Sequence, residues 1–210
     1  MTPEQAFFDA GTVPRDAKVL DLGCGEQKKV AWAIGLDRVK TAATDVVHDL
    51  DSYPWPFADD TFDVVIASHV LEHVADLMRL CEELHRVCRD GALVKVATPH
   101  FSSADAWADP THRRAFGYRT FEFFARPQDA RAPRLQQLAS RAFGLEATVA
   151  GWYTEPRFEI VERRITFRRP HRLAGMAALA AQAPLLYEYF LSGLAPARDL
   201  LVTLRVRKRA

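Results

Sequence analysis

Short apolar runs bounded by turn residues recur through the first hundred positions of the chain, at 18–22, 33–36, 43–47, 62–67 and 92–97. Runs of this length are typical of strands buried on both faces of a parallel sheet. From Leu71 to Cys88 apolar residues repeat every three or four positions, which predicts an amphipathic helix that ends at Asp90-Gly91. Alternating strands and helices indicate βαβ units in a doubly wound, mostly parallel α/β sheet.

The second half of the chain has a less regular pattern. Its periodicity predicts helices at 120–125 and 135–143, and alternating apolar residues predict two late strands at 158–168 and 200–206. An apolar helical region at 173–194 separates these two strands. We therefore expect an antiparallel edge on the parallel sheet, with a helical excursion near the C-terminus.

Charge and composition narrow the class of protein. The formal net charge is +1 and about half of the residues are apolar, so the overall charge does not indicate a nucleic-acid partner. Six arginines lie between 157 and 172, and the last six residues include Arg205, Arg207, Lys208 and Arg209. Solvated strand faces explain this pattern most simply, and an anionic acceptor or surface is the alternative.

Three cysteines are too few for a disulfide framework, which favours a reducing compartment. Residues 1–16 lack the basic and apolar regions of a signal peptide. The apolar stretch 173–191 is interrupted by Gly175, Gln182, Pro184 and Glu188, which argues against a transmembrane segment. We therefore predict a cytoplasmic protein, a monomer or a homodimer. The sequence leaves three roles open for the apolar region 173–194: covering a binding site, contacting a second subunit or resting on a membrane.

The first apolar run ends in Gly23-Cys24-Gly25, where missing side chains let the backbone approach a ligand closely. In open α/β sheets, ligands bind beyond the carboxyl ends of the strands, where these glycines are expected. Asp37 follows the second run, and its carboxylate can accept both hydrogen bonds of a ribose diol. Asp49 follows the third run and can accept a hydrogen bond from an adenine amino group, with Asp51 as the fallback.

Four segments together resemble the class I SAM-dependent methyltransferases, especially small bacterial methyltransferase-domain proteins. They are 19–25, 55–63, 69–74 and 86–91, and the resemblance covers about residues 17–115. It implies a seven-stranded Rossmann-like sheet, S-adenosylmethionine (SAM) as cofactor and S-adenosylhomocysteine (SAH) as product. It also implies one domain over 1–210, with a cofactor-binding half at 1–115 and an acceptor-side half at 116–210 that contains a helical insertion at 171–197.

The resemblance assigns the cofactor to residues at successive strand ends. The implied cofactor-binding set is Asp21, Gly23, Cys24, Gly25, Lys28, Asp37, Asp49, Leu50, Ser68 and His69. The glycines would line the methionine and ribose, Ser68 and His69 would lie beside the methionyl end, and Asp21 would anchor the first loop or touch the cofactor's amino group.

The chain departs from the family pattern after its first strand. Gln27 replaces the usual third glycine, and only 14 positions separate Gly23 from Asp37. The first helix is therefore predicted to be short. Lys28 or Lys29 is placed to fill part of that space, either paired with the cofactor carboxylate or exposed to solvent.

The segment 98–114 is rich in groups suited to catalysis, and loops at this edge often carry function. His100 or His112 is a candidate base for a hydroxyl or amine acceptor, with Asp109 orienting the imidazole. Arg113 and Arg114 are candidates to bind a carboxylate or phosphate of the acceptor. The alternative is that Asp109 caps a helix and the histidines are structural.

His69 and His73 have the spacing of a zinc site but lack a convincing third ligand, so we predict no metal. The favoured function is methylation of a small-molecule, lipid-like or glycan-precursor acceptor. A methyltransferase-like binding module without catalysis is an alternative suggested by Gln27. Methylation of RNA or protein is a further alternative, suggested by the arginine cluster.

Overall fold

The computed structural model describes residues 2–125, 133–145 and 157–208, so Arg209 of the basic tail lies outside the described residues. The strands are β1 (Val19–Leu22), β2 (Ile34–Asp37), β3 (Val46–Val47), β4 (Phe62–Ser68), β5 (Cys88–Pro99), β6 (Phe158–Ile165) and β7 (Asp199–Val206). The helices are α1 (Pro3–Phe7), α2 (Leu77–Val87), α3 (Asp105–Ala108), α4 (Arg134–Phe143), α5 (Arg169–Leu173), α6 (Met176–Gln182) and α7 (Pro184–Leu186). Short 3-10 turns lie at Ala10–Thr12 and Thr120–Phe123, and α7 continues as a π-helical turn at Tyr187–Leu191.

The described strands form one sheet in the order β3-β2-β1-β4-β5-β7-β6. Strands β1 to β5 are parallel, whereas β7 pairs antiparallel with both β5 and β6. The predicted fold class is confirmed, and the antiparallel pairing lies at one edge of the sheet. Because β1 to β5 are parallel, their carboxyl ends meet along one edge, where ligands bind in sheets of this kind.

Alternate residues of the central strands pack on opposite faces of the sheet. Leu20 and Val65 face the larger core, which α2 and the C-terminal helices cover, while Val19 and Val64 face a smaller core closed by Phe7 and other residues of the N-terminal segment. Both faces are therefore buried, as the continuous apolar runs predict.

The helix predicted from Leu71 begins later, at Leu77. Asp76 is its N-cap and accepts a hydrogen bond from the Arg79 amide. The backbone just before this helix is hydrogen-bonded to side chains of other segments. Asp51 accepts from the Ala75 amide, and the Arg114 guanidinium donates to the Ala75 carbonyl. These bonds hold residues 71–76 as turns. The predicted end at Asp90-Gly91 was also wrong, because β5 already begins at Cys88.

The segment between β1 and β2 contains turns instead of the predicted short helix. Asp21, inside β1, accepts a hydrogen bond from the Lys29 amide at 2.6 Å and so anchors this loop. The helical excursion between β6 and β7 is divided into short pieces at Gly175, which has a φ of 81°, and at Pro184. Of the helices in the described ranges, not one has the length and apolar character needed to cross a bilayer.

Candidate functional site

Two adjoining clefts open at the carboxyl edge of the sheet. The first, which we term the strand-end cleft, is lined by Gly23, Asp37, Arg38, His48, Asp49, Leu50, Asp51, His69, Val70, His73, Val74 and Thr111. The second, termed the side cleft, is lined by His69, Glu72, His73, Pro99, Asp105, Ala108, Asp109, Pro110, His112, Arg198 and Asp199. His69 and His73 line both clefts, so the two spaces meet at these histidines.

Gly23 gives the strand-end cleft its backbone wall. Its φ is 61°, in the left-handed region that disfavours side chains, and its amide donates to the Leu36 carbonyl at 2.8 Å. A Cβ at this position would lie 2.6 Å from Val70 Cγ2. The turn after β1 therefore requires glycine here for steric reasons as well as conformational ones.

Two predicted carboxylates line the same cleft. Asp37 accepts hydrogen bonds from the Gly25 amide at 3.0 Å and the Val39 amide at 2.9 Å, one on each oxygen. Because a carboxylate oxygen can accept two bonds, Asp37 retains acceptor capacity for a diol. Asp49 accepts from the Asp51 amide at 3.0 Å and likewise keeps free capacity. The structure thus brings Gly23, Asp37 and Asp49 together, as expected from parallel strand ends.

Several residues of the predicted cofactor-binding set do not line the strand-end cleft. Asp21 is 1% exposed beneath the first loop, and burial raises its pKa to about 6. Cys24 is buried, with its Sγ 3.7 Å from the Ala43 carbonyl. Gly25 helps to shape the cleft indirectly, because its amide donates a hydrogen bond to Asp37. Ser68 donates to Glu4 at 2.9 Å.

Lys28 does not occupy the position suggested for it. Its Nζ pairs with Asp45 at 2.5 Å, and its Cε lies close beneath Gly35. Asp45 also accepts from the Gly35 amide, so this ion pair fastens the first loop to β2. The structure therefore gives Lys28 a role in the scaffold, away from the cleft that a cofactor carboxylate would enter.

His69 lies at the junction of the clefts with an unusual backbone. Its φ of 52° is in the left-handed region, which is rare for a residue with a side chain and often occurs at functional sites. Its ring lies 3.5 Å from Glu72, 3.7 Å from Glu4 and 3.9 Å from Asp199. Burial alone would lower its pKa, but the carboxylates of Glu4 and Glu72 outweigh burial and raise the pKa to about 10.

The carboxylates around His69 respond in different ways. The contact with His69 outweighs partial burial and lowers the pKa of Glu4 to about 2. Burial raises the pKa of Asp199 above its ordinary value. His69 is therefore an imidazolium at neutral pH, and the junction between the clefts carries a fixed positive charge surrounded by acids.

His100 is not placed to act as the predicted base. It is 0% exposed, and its Nε2 meets Glu188 at 2.9 Å. Its Nδ1 accepts from the Ser102 amide and contacts the Ser102 hydroxyl. Both ring nitrogens are engaged inside the core between β5 and the π-helical turn. The structural alternative for His100 is the one that the geometry supports.

His112 lies in the side cleft, but Asp109 does not orient it as predicted. The His112 Nδ1 lies 3.1 Å from the Ala106 carbonyl, whereas Asp109 is 3.9 Å from Nε2. Asp109 accepts instead from the amide and the hydroxyl of Thr111, and these bonds lower its pKa. Asp109 therefore closes a turn with Thr111, and because no helix of the described residues begins there, neither the orienting role nor the helix cap describes it.

The two arginines expected to bind an acceptor are in different environments. The Arg114 guanidinium donates to the carbonyls of Leu71 and Ala75 and so fastens the turns before α2. The Arg113 side chain is exposed, while its amide donates to the Glu72 carbonyl at 2.8 Å. Neither arginine lines the described clefts.

Sequence reasoning missed several side chains of the side cleft and of the surroundings of His69. Glu72 is 1% exposed, and Glu4 and Asp199 reach His69 from α1 and β7. The adjacent pair Glu72-His73 was a usable signal, because two ligating groups follow β4 directly. His112 lies 39 positions beyond His73 in sequence, and only the fold shows that it meets Glu72 and His73.

Residues 20–96 match the family described as a methyltransferase domain. This range contains β2, β3 and β4, all of β1 except Val19, and every lining residue of the strand-end cleft except Thr111. This part of the chain matches a methyltransferase domain, as the sequence predicts, and SAM is the cofactor that the predicted family implies. The strand-end cleft fits an adenosyl group. It offers a backbone wall at Gly23, an acceptor carboxylate, Asp37, at the end of β2, and a second carboxylate, Asp49, after β3.

Other proteins resemble this methyltransferase-domain chain over different lengths. Methyltransferase GfsG from Streptomyces halstedii is 31% identical over 115 residues, which cover 44% of this chain and 41% of that protein. The chain thus spans about two fifths of the length of this curated relative.

Solved structures share the fold across almost the whole chain. A SAM-dependent methyltransferase from Archaeoglobus fulgidus has a TM-score of 0.50 and 16% identity, covering 90% of this chain and 86% of the other. The cyclase SpnF has a TM-score of 0.55 and 15% identity, covering 97% of this chain and 80% of its own. Because the fold also serves a cyclase, the activity of this chain has to be argued from its site.

Proposed function

We propose that this chain is a SAM-dependent methyltransferase that binds SAM in the strand-end cleft and methylates a small polar acceptor in the side cleft. The observation that carries the proposal is that the two clefts meet at His69 and His73. A ligand that fills the first cleft would therefore end where the second opens. Bound SAM would supply a methyl group activated by its sulfonium.

Asp37, Asp49 and Gly23 are the residues proposed to hold the cofactor. Asp37 would accept from the ribose hydroxyls, and Asp49 with the Leu50 backbone would meet the adenine. His69 would lie beside the methionyl end at the junction of the clefts, where the surrounding carboxylates suit the ammonium group of SAM. Methyl transfer needs mainly an in-line approach at about 3 Å in a site shielded from water.

The lining of the side cleft supports a polar acceptor. Its described residues include four carboxylates but no phenylalanine, tyrosine or tryptophan, and the acids are Glu72, Asp105, Asp109 and Asp199. Such a surface suits hydroxyl or amine groups better than an acyl chain. We therefore favour a glycan-precursor or another hydroxylated metabolite over a lipid-like acceptor.

A polyanionic acceptor such as RNA is less well supported. Of the six arginines between 157 and 172, four pair with a carboxylate. Arg205 and Arg207 share Glu159, and Lys208 pairs with Asp60. Cations neutralised in this way contribute little to phosphate binding, so the solvated-face interpretation is favoured.

The proposal also includes a cytoplasmic location. All three cysteines are buried and unbridged, which suits a reducing compartment. Fractionation of the native host with an antibody to the chain would test this, and recovery in an exported fraction would contradict it.

Two measurements test the proposed activity in sequence. Calorimetric titration with SAH should give one binding site, and folded protein without binding would overturn the proposal. The protein is then incubated with methyl-labelled SAM and a panel of polyols, amino sugars and phenols. Acceptor-dependent label transfer is expected. SAH binding without transfer to any acceptor of these classes would favour the binding-module alternative.

A further inference from the structure

We propose that Glu72, His73 and His112 form a binding site for a divalent transition-metal ion in the side cleft. One ligand atom from each of these residues lies within 4.8 Å of the other two. The ligands of a single ion lie about 3 Å apart when metal–ligand bonds are about 2.1 Å. Small side-chain rotations are therefore enough to close the set around one ion.

Both histidines have the same nitrogen committed to the protein. The Thr111 hydroxyl donates its proton to Asp109 at 2.6 Å, so it accepts from His73 Nδ1 at 2.8 Å. The His112 Nδ1 donates to the Ala106 carbonyl at 3.1 Å. These bonds fix the tautomer in which Nε2 carries a lone pair. Metal-binding histidines are oriented in this way by an acceptor on the other ring nitrogen.

The carboxylate supplies an independent observation. Glu72 is 1% exposed, and its Oε2 accepts from the Thr98 hydroxyl at 3.1 Å. Its Oε1 has no hydrogen-bond partner, although His69 Nδ1 lies 3.5 Å away. The His69 imidazolium offsets the charge of Glu72 but leaves Oε1 without a hydrogen bond, and an ion bound between Oε1 and the two imidazoles would give this oxygen a direct partner.

The backbone holds the three ligands in place. The Arg113 amide donates to the Glu72 carbonyl, and Arg114 grips the turns that carry Glu72 and His73. The loop that carries His112 is thus docked onto the turn that carries the other two ligands. The rings of His73 and His112 meet edge to face, with centroids 4.7 Å apart.

The ligand chemistry indicates the class of ion and what it would bind. Two imidazoles and one carboxylate suit Mn²⁺, Fe²⁺, Co²⁺ or Zn²⁺, and three protein ligands leave positions open. His73 and His112 line the side cleft, so the open positions would face the acceptor. Resting on the proposed function, we infer an acceptor that offers two neighbouring oxygens, whose hydroxyl the ion would acidify.

A second cluster, Glu4, His69 and Asp199, has a similar spacing but is a weaker candidate. There a single ring nitrogen of His69 faces both carboxylates, at 3.7 and 3.9 Å. The proton on that nitrogen already serves both acids. An ion would have to displace it, so this cluster is complete without a metal.

The site is tested by titrating Co²⁺ into the chelator-treated, full-length protein without SAM or acceptor, and recording visible absorption and calorimetry. One equivalent should bind and give ligand-field bands. His112→Ala, His73→Ala and Glu72→Gln should each weaken binding by at least about tenfold, as loss of a metal-site group does. No binding by the folded wild type would overturn the proposal.

His171→Ala is the matched control, because His171 Nδ1 also meets a carbonyl, that of Pro196 at 3.1 Å. It should bind Co²⁺ as the wild type does, and so should Glu4→Gln. Equal losses in His171→Ala would mean adventitious binding, and loss in Glu4→Gln alone would assign the ion to the second cluster; both results overturn the proposal. Circular dichroism and thermal unfolding of each variant verify folding, and because the Co²⁺ titration contains neither SAM nor SAH, its outcome is independent of that of the methyl-transfer assay.

Acetohydroxamate, a chelator with two neighbouring oxygens, tests the open positions. Adding it to the Co²⁺-loaded protein should shift the absorption bands in the wild type. Unchanged bands would mean that the coordination sphere is closed, which would overturn the inference about the acceptor while leaving the ion site in place.

Discussion

The strand-end cleft and the side cleft adjoin each other, yet they are built from different parts of the chain. The strand-end cleft takes its shape from the backbone at the ends of β1, β2 and β3, where Gly23 and Asp37 lie. The side cleft depends on side chains such as His112 and Asp199, which meet only after distant segments have docked. Changes of backbone conformation should therefore damage the first cleft, and changes of side-chain chemistry the second.

The largest effect is expected from Gly23→Ala. An alanine would be strained at a φ of 61°, by about 1–2 kcal/mol, and its Cβ would overlap Val70 Cγ2, adding about 1–3 kcal/mol. Gly25→Ala is the matched control, because its φ of 57° is similar but its Cβ would have open space. Urea unfolding should show a clearly larger loss for Gly23→Ala. Equal losses would contradict the steric argument.

The two histidines of one loop offer the next comparison. His100→Ala should lower the free energy of unfolding by about 2–4 kcal/mol, since it leaves a cavity and removes the partner of Glu188. His112→Ala, in the side cleft, should cost less than about 1 kcal/mol. Denaturant unfolding of both variants measures the difference. A His100→Ala protein as stable as the wild type would mean that His100 is not structural.

Asp21 supports the first loop beneath the strand-end cleft, but burying its ionised carboxylate lowers the stability of the fold, so this effect depends on pH. Its pKa in the folded protein is about 6, above the unfolded value, so stability falls as the pH rises from about 4 to 6 and stays lower above that range. The two-unit shift corresponds to about 3 kcal/mol. Asp21→Asn should therefore be more stable than the wild type at pH 8, and no more stable near pH 4.

Asp63→Asn is a control of opposite sign for this measurement. The Lys18 amide and Arg89 outweigh partial burial and lower the pKa of Asp63. Stability from Asp63 is present at neutral pH and is lost in acid, so Asp63→Asn should be less stable at pH 8. Thermal unfolding between pH 4 and pH 8 measures both variants. If the wild type were more stable than Asp21→Asn at pH 8, the predicted cost of burying the Asp21 carboxylate would be contradicted.

The smallest expected effect is a difference in SAH affinity between a variant of the strand-end cleft and a variant of the side cleft. Asp37→Ala should weaken SAH binding by about 1–3 kcal/mol through the loss of the ribose hydrogen bonds. His112→Ala should leave SAH affinity unchanged, because His112 does not line the strand-end cleft. Calorimetric titration of the two variants provides the measurement. Equal weakening by both changes would show that the clefts are not independent.

Much of the strand-end cleft was predictable because its signals are local. Each of β1, β2 and β3 is a short run that ends at, or within two positions of, a glycine or an acid, so strand order alone brings Gly23, Asp37 and Asp49 to one edge. Lys28 was misjudged because its partner, Asp45, lies directly before β3, 17 positions further along the chain. A run of apolar residues also concealed the turns at 71–76, since buried turns and helices share apolar spacing.

The sequence by itself determined the sheet, the family and the residues at the parallel strand ends, because periodicity and adjacent turn residues act over a few positions. Tertiary structure alone decided the environments of His100 and His112. His100 is hydrogen-bonded in the core to Glu188, 88 positions further on, whereas His112 lies beside Glu72 and His73 in the side cleft. Chemically equivalent residues of one loop acquire different roles because burial and partners are properties of the folded chain.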